Sequence, residues 1–192
     1  MRFDLLYKVL LRTVVGLAVV GLAACAQTAP NPDSGAAQAE PADGGEASVP
    51  YADSRFHYRI DAPGHMASNA DGTASFAGPS ERLEIAVVQG SPASDPKALA
   101  GQDAKTLAGS LTGFRKLSAP GELNLNGVKV VKFIYAWSAG TSSVTGKATE
   151  LTSARYYIPK DGNTVAVVTY SIVTNQYDPE GADDLARTFR WQ

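Results

Sequence analysis

From Ala26 to Pro50 the chain contains no Leu, Ile, Met, Phe, Tyr or Trp, and Val49 is the only branched aliphatic residue. Such a stretch buries too little apolar surface to offset the entropy of ordering it. It reads as a flexible tether with a reach of roughly 25–30 Å. Any sizeable core must come from residues 51–192, a length that forms one domain without disulfides. The charge pattern divides the same way. Asp33, Glu40, Asp43 and Glu46 make the tether acidic, Arg2, Lys8 and Arg12 make the N-terminus basic, and residues 51–192 carry no net charge. A neutral domain has no electrostatic reason to seek nucleic acid.

Val14–Ala24 is an uncharged apolar run behind the basic N-terminus, of signal-peptide length and too short to span a bilayer alone. It ends in Leu22-Ala23-Ala24-Cys25, which contains the only cysteine of the chain. The tetrapeptide resembles the lipobox of bacterial lipoproteins. That resemblance implies cleavage of residues 1–24, a diacylglycerol on Cys25 and anchorage to a membrane of the cell envelope. Ala26 in place of Asp leans towards the outer membrane in a host that has two. The alternative is a plain secretory signal cut at an Ala-x-Ala-type site such as Ala24-Cys25-Ala26. Two or three acyl chains, at about 0.8 kcal/mol per buried CH2, would anchor the protein almost irreversibly.

After Pro50 the pattern becomes strand-like. Phe56, Tyr58 and Ile60 alternate with polar His57 and Arg59, and Pro63-Gly64 breaks the run. Strands are expected over 73–77, 83–88, 128–138, 154–158 and 164–173, with Asn126-Gly127 as a type I′ hairpin turn. Ser94-Asp95-Pro96 opens a helix whose buried face is expected to be Ala100, Ala104, Leu107, Ala108 and Leu111, with a stop near Gly113. Tyr177-Asp178-Pro179 opens a second helix that turns Leu185, Ala186 and Phe189 inwards and ends near Trp191. The sum is an α+β domain with a central antiparallel sheet.

The opening Tyr51-x-Asp53-x-x-Phe56-x-Tyr58-x-Ile60-x-x-Pro63-Gly64, the middle helix, two long strands and the closing Asp184-Leu185-Ala186-Arg187-Thr188-Phe189-Arg190 resemble the PsbP-like family. His65 departs from the Trp that commonly follows the Pro-Gly turn there. The resemblance covers residues 51–192. It implies a central antiparallel sheet flanked by helices, an α-β-α sandwich, and the work of an accessory, assembly or binding protein. It carries no site residues onto this chain.

No motif argues for an enzyme. The two histidines, His57 and His65, lack compact metal-ligand spacing, and Gly-x-Ser-x-Gly and phosphate-binding glycine loops are missing. Neither a metal nor a cofactor is expected. Asp178, Glu180, Asp183 and Asp184 read as helix-start chemistry rather than a calcium loop. Two features remain as recognition candidates. Tyr135, Trp137, Tyr156, Tyr157 and Tyr170 line a pocket or sheet face, or else pack beneath helices. The Gly-, Ser- and Thr-rich loop Ser138–Ala148 is a binding loop or a mobile one. The expected function is non-catalytic: a lipid-anchored module that binds an envelope protein. The alternative is a small-molecule carrier with an aromatic-lined pocket, and an envelope hydrolase is the least supported reading.

Overall fold

The structure is a computed structural model that describes residues 48–70, 72–141 and 148–192. Cys25, the leader, residues 26–47 of the tether and residues 142–147 of the loop Ser138–Ala148 lie outside them. No described helix is long and apolar enough to cross a membrane.

Eleven strands of the described residues form two antiparallel sheets. The larger contains β3 (His65–Ala70), β4 (Thr73–Ala77), β5 (Glu81–Gln89), β10 (Thr164–Val173), β9 (Ala148–Asp161), β8 (Val128–Thr141) and β6 (Arg115–Lys116) in that spatial order, with β7 (Gly121–Leu125) also paired to β8. The smaller contains β1 (Val49–Asp53), β2 (Tyr58–Ala62) and β11 (Arg190–Trp191), with β2 in the middle. The turn between β7 and β8 holds Asn126 and Gly127 at φ of 53° and 85°, as a type I′ hairpin requires.

Two α-helices of the described residues complete the domain. α1 (Pro96–Ser110) starts at Asp95, whose carboxylate accepts hydrogen bonds from the Lys97 and Ala98 amides. α2 (Pro179–Thr188) starts at Asp178, which accepts from Glu180 and Gly181. Each N-cap has Pro at the next position, where no hydrogen-bond donor is missed.

The large sheet has a core on each face. Leu99 and Ala100 of α1 pack onto Val131, Phe133, Tyr135, Tyr157, Val165 and Val167 of the sheet. On the opposite face, Leu83, Ile85, Val130, Tyr156 and Val168 meet α2 and the inner face of the small sheet, including Tyr58 and Ile60. The fold is thus sheet-dominated. The antiparallel sheet is central, as expected, but the flanking is uneven: α1 covers one face, and on the other α2 shares the space with the small sheet.

Three further expectations change. β9 is 14 residues long rather than five, so that it pairs with β8 and β10 over most of their lengths. Trp191 does not end a helix. α2 stops at Thr188, and Trp191 pairs with Tyr58 in β11 and meets its ring edge-on at 6.2 Å. The buried face of α1 is Leu99, Ala100 and Asp103, with Ala108 exposed. Ala104, Leu107 and Leu111 of the expected stripe still pack against the core, and Asp103 joins the buried face because it has polar partners on the sheet below.

Candidate functional site

Strand alternation divides the five aromatic candidates between opposite faces of the large sheet. Tyr135, Trp137 and Tyr157 lie on the α1 side, Tyr156 and Tyr170 on the α2 side. Tyr156 and Tyr157 are 0% exposed and Tyr135 is 3% exposed, so these three are packing residues. The aromatic candidates therefore do not converge on one pocket.

Their polar atoms are engaged inside the fold. The Tyr157 hydroxyl donates to Asp103 Oδ2 at 2.8 Å, and Arg155 donates to the same oxygen at 2.8 Å. On the other face, Asp183 Oδ1 accepts from the Tyr156 hydroxyl at 2.6 Å and from Lys132 Nζ at 2.5 Å. Trp137 Nε1 donates to Ser153 Oγ at 3.0 Å, which in turn lies 2.8 Å from Ser171 Oγ. Tyr170 donates to Glu81 at 2.6 Å. Burial pushes the Tyr156, Tyr157 and Tyr170 hydroxyls well above their ordinary pKa, and the neighbouring carboxylates add to the shift. All three are neutral hydrogen-bond donors at physiological pH.

The histidines stand apart. His57 is exposed at φ 57°, in the turn before β2, and His65 is exposed on the edge strand β3. Among the described residues no three His, Cys, Asp or Glu side chains gather where they would hold a metal. The acidic residues of α2 have separate tasks: Asp178 caps the helix, Asp183 holds Lys132 and Tyr156, and Asp184 pairs with Arg187.

The surface carries two notable concavities. A cleft of about 280 Å³ lies between Glu81 and Tyr170 on the sheet and Asp178, Gly181 and Leu185 at the start of α2. A groove of about 670 Å³ opens between the outer face of the small sheet and the C-terminal half of α2. Its floor carries Pro50, Ala52, Arg59, Asp61 and Arg190, and its wall carries Asp184, Arg187 and Thr188, with Asn126 at one end.

The groove exists because β1, β2 and β11 turn alternate residues outwards. Tyr51, Tyr58, Ile60 and Trp191 face the core, so Ala52, Arg59, Asp61 and Arg190 face solvent. Two bonds fix its wall: the Asp61 amide donates to Thr188 Oγ1 at 3.1 Å, and Asn126 Nδ2 donates to the Arg187 carbonyl at 2.9 Å. Arg187 is paired with Asp184. Arg190 turns one guanidinium nitrogen back to the carbonyls of Arg187 and Phe189. Arg59 has no ion-pair or hydrogen-bond partner among the described residues.

Sequence reasoning missed this groove. The signal lay in the polar positions alternating with Tyr58 and Ile60, which mark the outer face of a half-buried strand. What brings Arg190 beside Arg59 is the pairing of β11 with β2, a two-residue contact with no sequence signature.

No family model matches the chain, and no curated protein matches it. The fold is similar to that of a Bacteroides thetaiotaomicron crystal structure, with 12% identity and a TM-score of 0.52; the match covers 77% of this chain and 49% of that one. The chain therefore spans about half the length of that protein. Weaker structural matches include the Saccharomyces cerevisiae Ran-binding protein Mog1p, at 11% identity and TM-score 0.49, covering 75% of this chain and 95% of Mog1p. LpqN of Mycobacterium tuberculosis, involved in cell envelope biogenesis, matches at 14% identity and TM-score 0.39, covering 77% of this chain and 83% of LpqN. At such identities the likeness is one of fold, and the Bacteroides structure carries it.

Proposed function

We propose that the chain is an envelope lipoprotein, anchored through Cys25, whose PsbP-like domain serves as a non-catalytic protein-binding module. The observation that carries the reading is the contrast between the aromatic residues and the groove. The Tyr156 and Tyr157 hydroxyls tie the two helices to the sheet, Tyr170 and Trp137 bond to residues of the sheet itself, and the five side chains are split between opposite faces, so they do not form one carrier pocket. The groove of about 670 Å³ is open, lies on the small sheet and mixes apolar with charged and polar groups, as protein-docking surfaces do.

The motif residues support the fold half of the proposal, since each has structural work. Asp53 Oδ1 accepts from the Arg55 and Phe56 amides at 2.8 and 2.9 Å and so closes the turn before β2. Tyr58 stacks on Phe189 at 5.3 Å, linking the opening motif to the closing one. Pro50 and Ala52 place the groove next to the point where the tether enters the domain. A lipid on Cys25 would hold that face within tether reach of the bilayer, on the extracytoplasmic side.

The test is site-specific photo-crosslinking in the native host from Ala52, an exposed groove residue. A discrete protein adduct, weakened when Cys25→Ser removes the lipid, is the expected result. Adducts of equal strength without the lipid would overturn the anchoring half. No adduct from Ala52, with crosslinking intact from a control position elsewhere, would overturn the groove as a protein-docking surface.

A further inference from the structure

We infer that the groove recognises an extended, acidic segment of its protein partner, gripped between Arg59 and Arg190; the inference rests on the protein-binding reading above. The physical basis is the register of the small sheet. Arg190 lies directly opposite Arg59 in the antiparallel ladder, and both side chains are exposed on the outer face. Directly paired residues have Cβ atoms about 5 Å apart, and like charges there repel.

Neither nearby carboxylate relieves the repulsion through an ion pair. Asp184 is taken by Arg187, and Asp61 makes no ion pair among the described residues. Arg190 is held in place by its bonds to the carbonyls of Arg187 and Phe189, while Arg59 is unbonded among the described residues. The pair is thus one fixed and one free guanidinium on a rigid floor. A carboxylate bound between them would accept charge-assisted hydrogen bonds and remove the local repulsion.

A protein segment fits the groove better than an anionic membrane surface does. Asp61 and Asp184 line the same groove. They would repel a continuous sheet of phosphate headgroups, whereas a peptide can set one acidic side chain at the arginines and an amide or basic group beside the aspartates.

The experiment uses the full chain, with the lipid retained, held in detergent-free nanodiscs of neutral phosphatidylcholine. Three probes are compared: a fluorescein-labelled peptide of alternating Glu and Ser, its Lys and Ser counterpart, and vesicles of phosphatidylglycerol in phosphatidylcholine. The expected result is saturable binding of the acidic peptide, at least about tenfold tighter than the Lys peptide, that weakens with salt. Arg59→Glu should abolish the preference while leaving the urea midpoint unchanged or raised, because the introduced carboxylate would pair with Arg190. Arg59→Lys should bind the acidic peptide at an intermediate level, since it keeps the charge and loses the fork. Equal affinity for the two peptides, or an acidic preference that survives Arg59→Glu, would overturn the inference. Arg59-dependent binding of anionic vesicles without the peptide would overturn it in favour of a lipid surface. If crosslinking from Ala52 captures a protein and the peptide preference is missing, the acidic specificity fails while the protein-binding reading stands.

Discussion

Tyr156 and Tyr157 are consecutive on β9, point to opposite faces of the sheet, and each hydrogen-bonds an aspartate of a different helix. Tyr157 reaches Asp103 of α1 and Tyr156 reaches Asp183 of α2, and each aspartate also holds a cation rooted in the sheet. One dipeptide therefore positions both helices. The arrangement substitutes for apolar packing where α1 is rich in Ala and Gly and offers few large side chains.

Removing either aspartate leaves a poorly solvated cation and a tyrosine donor without their partner. Asp103 and Arg155 have side chains 9% and 15% exposed, against 19% and 14% for Asp183 and Lys132. Asp103→Ala is expected to cost about 3 kcal/mol of unfolding free energy, and Asp183→Ala somewhat less. Tyr157→Phe and Tyr156→Phe should each cost about 1 kcal/mol. Urea denaturation with an unchanged m-value is the check. Losses below about 0.5 kcal/mol for both aspartates would show that apolar contacts alone hold the helices.

The tyrosines also predict an alkaline limit to stability. Tyr51, Tyr58, Tyr135, Tyr156, Tyr157, Tyr170 and Tyr177 all have raised pKa values, with desolvation by burial as the largest cause. Tyr177 is pushed up to about 12, by burial first and then by Asp183 and Asp178. A group whose folded pKa exceeds its unfolded value contributes stability that is full below the unfolded pKa and lost as pH rises through the folded one. The unfolded tyrosines ionise near about 10. The contribution of these tyrosines to stability should therefore be level below about pH 10, and stability should fall steadily above it. Phenolate absorbance in the near ultraviolet should lag the titration of free tyrosine and then rise cooperatively with loss of near-ultraviolet circular dichroism. A smooth titration centred on the free-tyrosine value, with the fold intact, would contradict this.

How far the sequence carried the reading follows from the range of each interaction. The caps at Asp95 and Asp178, the Asn126-Gly127 turn and the strand over 164–173 are local, and their residues state them directly. The inward turn of Asp103 is not local. It depends on Arg155 and Tyr157, 52 and 54 residues away along the chain. The apolar stripe alone places Ala100, Ala104, Leu107 and Leu111 inwards, as they are, but it misses Asp103 and wrongly adds Ala108. The separation of Tyr156 from Tyr157 follows from strand alternation alone, so the aromatic list contained its own division into two faces. Which helix covers each face required the tertiary structure. The groove was hidden for a third reason, since its key pair comes from a two-residue strand at the end of the domain.

Gly64 offers the sharpest test of the turn that joins the two sheets. It follows β2 at φ +65°, a left-handed conformation that residues with a Cβ rarely adopt. A Cβ there would also run into the Ala77 carbonyl oxygen and the backbone of Gly78. Both obstacles are backbone, so no side-chain rotation relieves them. Gly64→Ala is expected to cost more than about 2 kcal/mol, the left-handed strain and the steric displacement acting together. At Gly127 the backbone is also left-handed, at φ +85°, but nothing lies within 4 Å of where a methyl group would sit. Gly127→Ala should therefore cost only the conformational strain, about 1 kcal/mol. Urea midpoints of the two variants separate the contributions. Equal losses would mean that the β2–β3 turn yields to accommodate the methyl group, and that the path from the small sheet to the large one is softer than its close backbone contact implies.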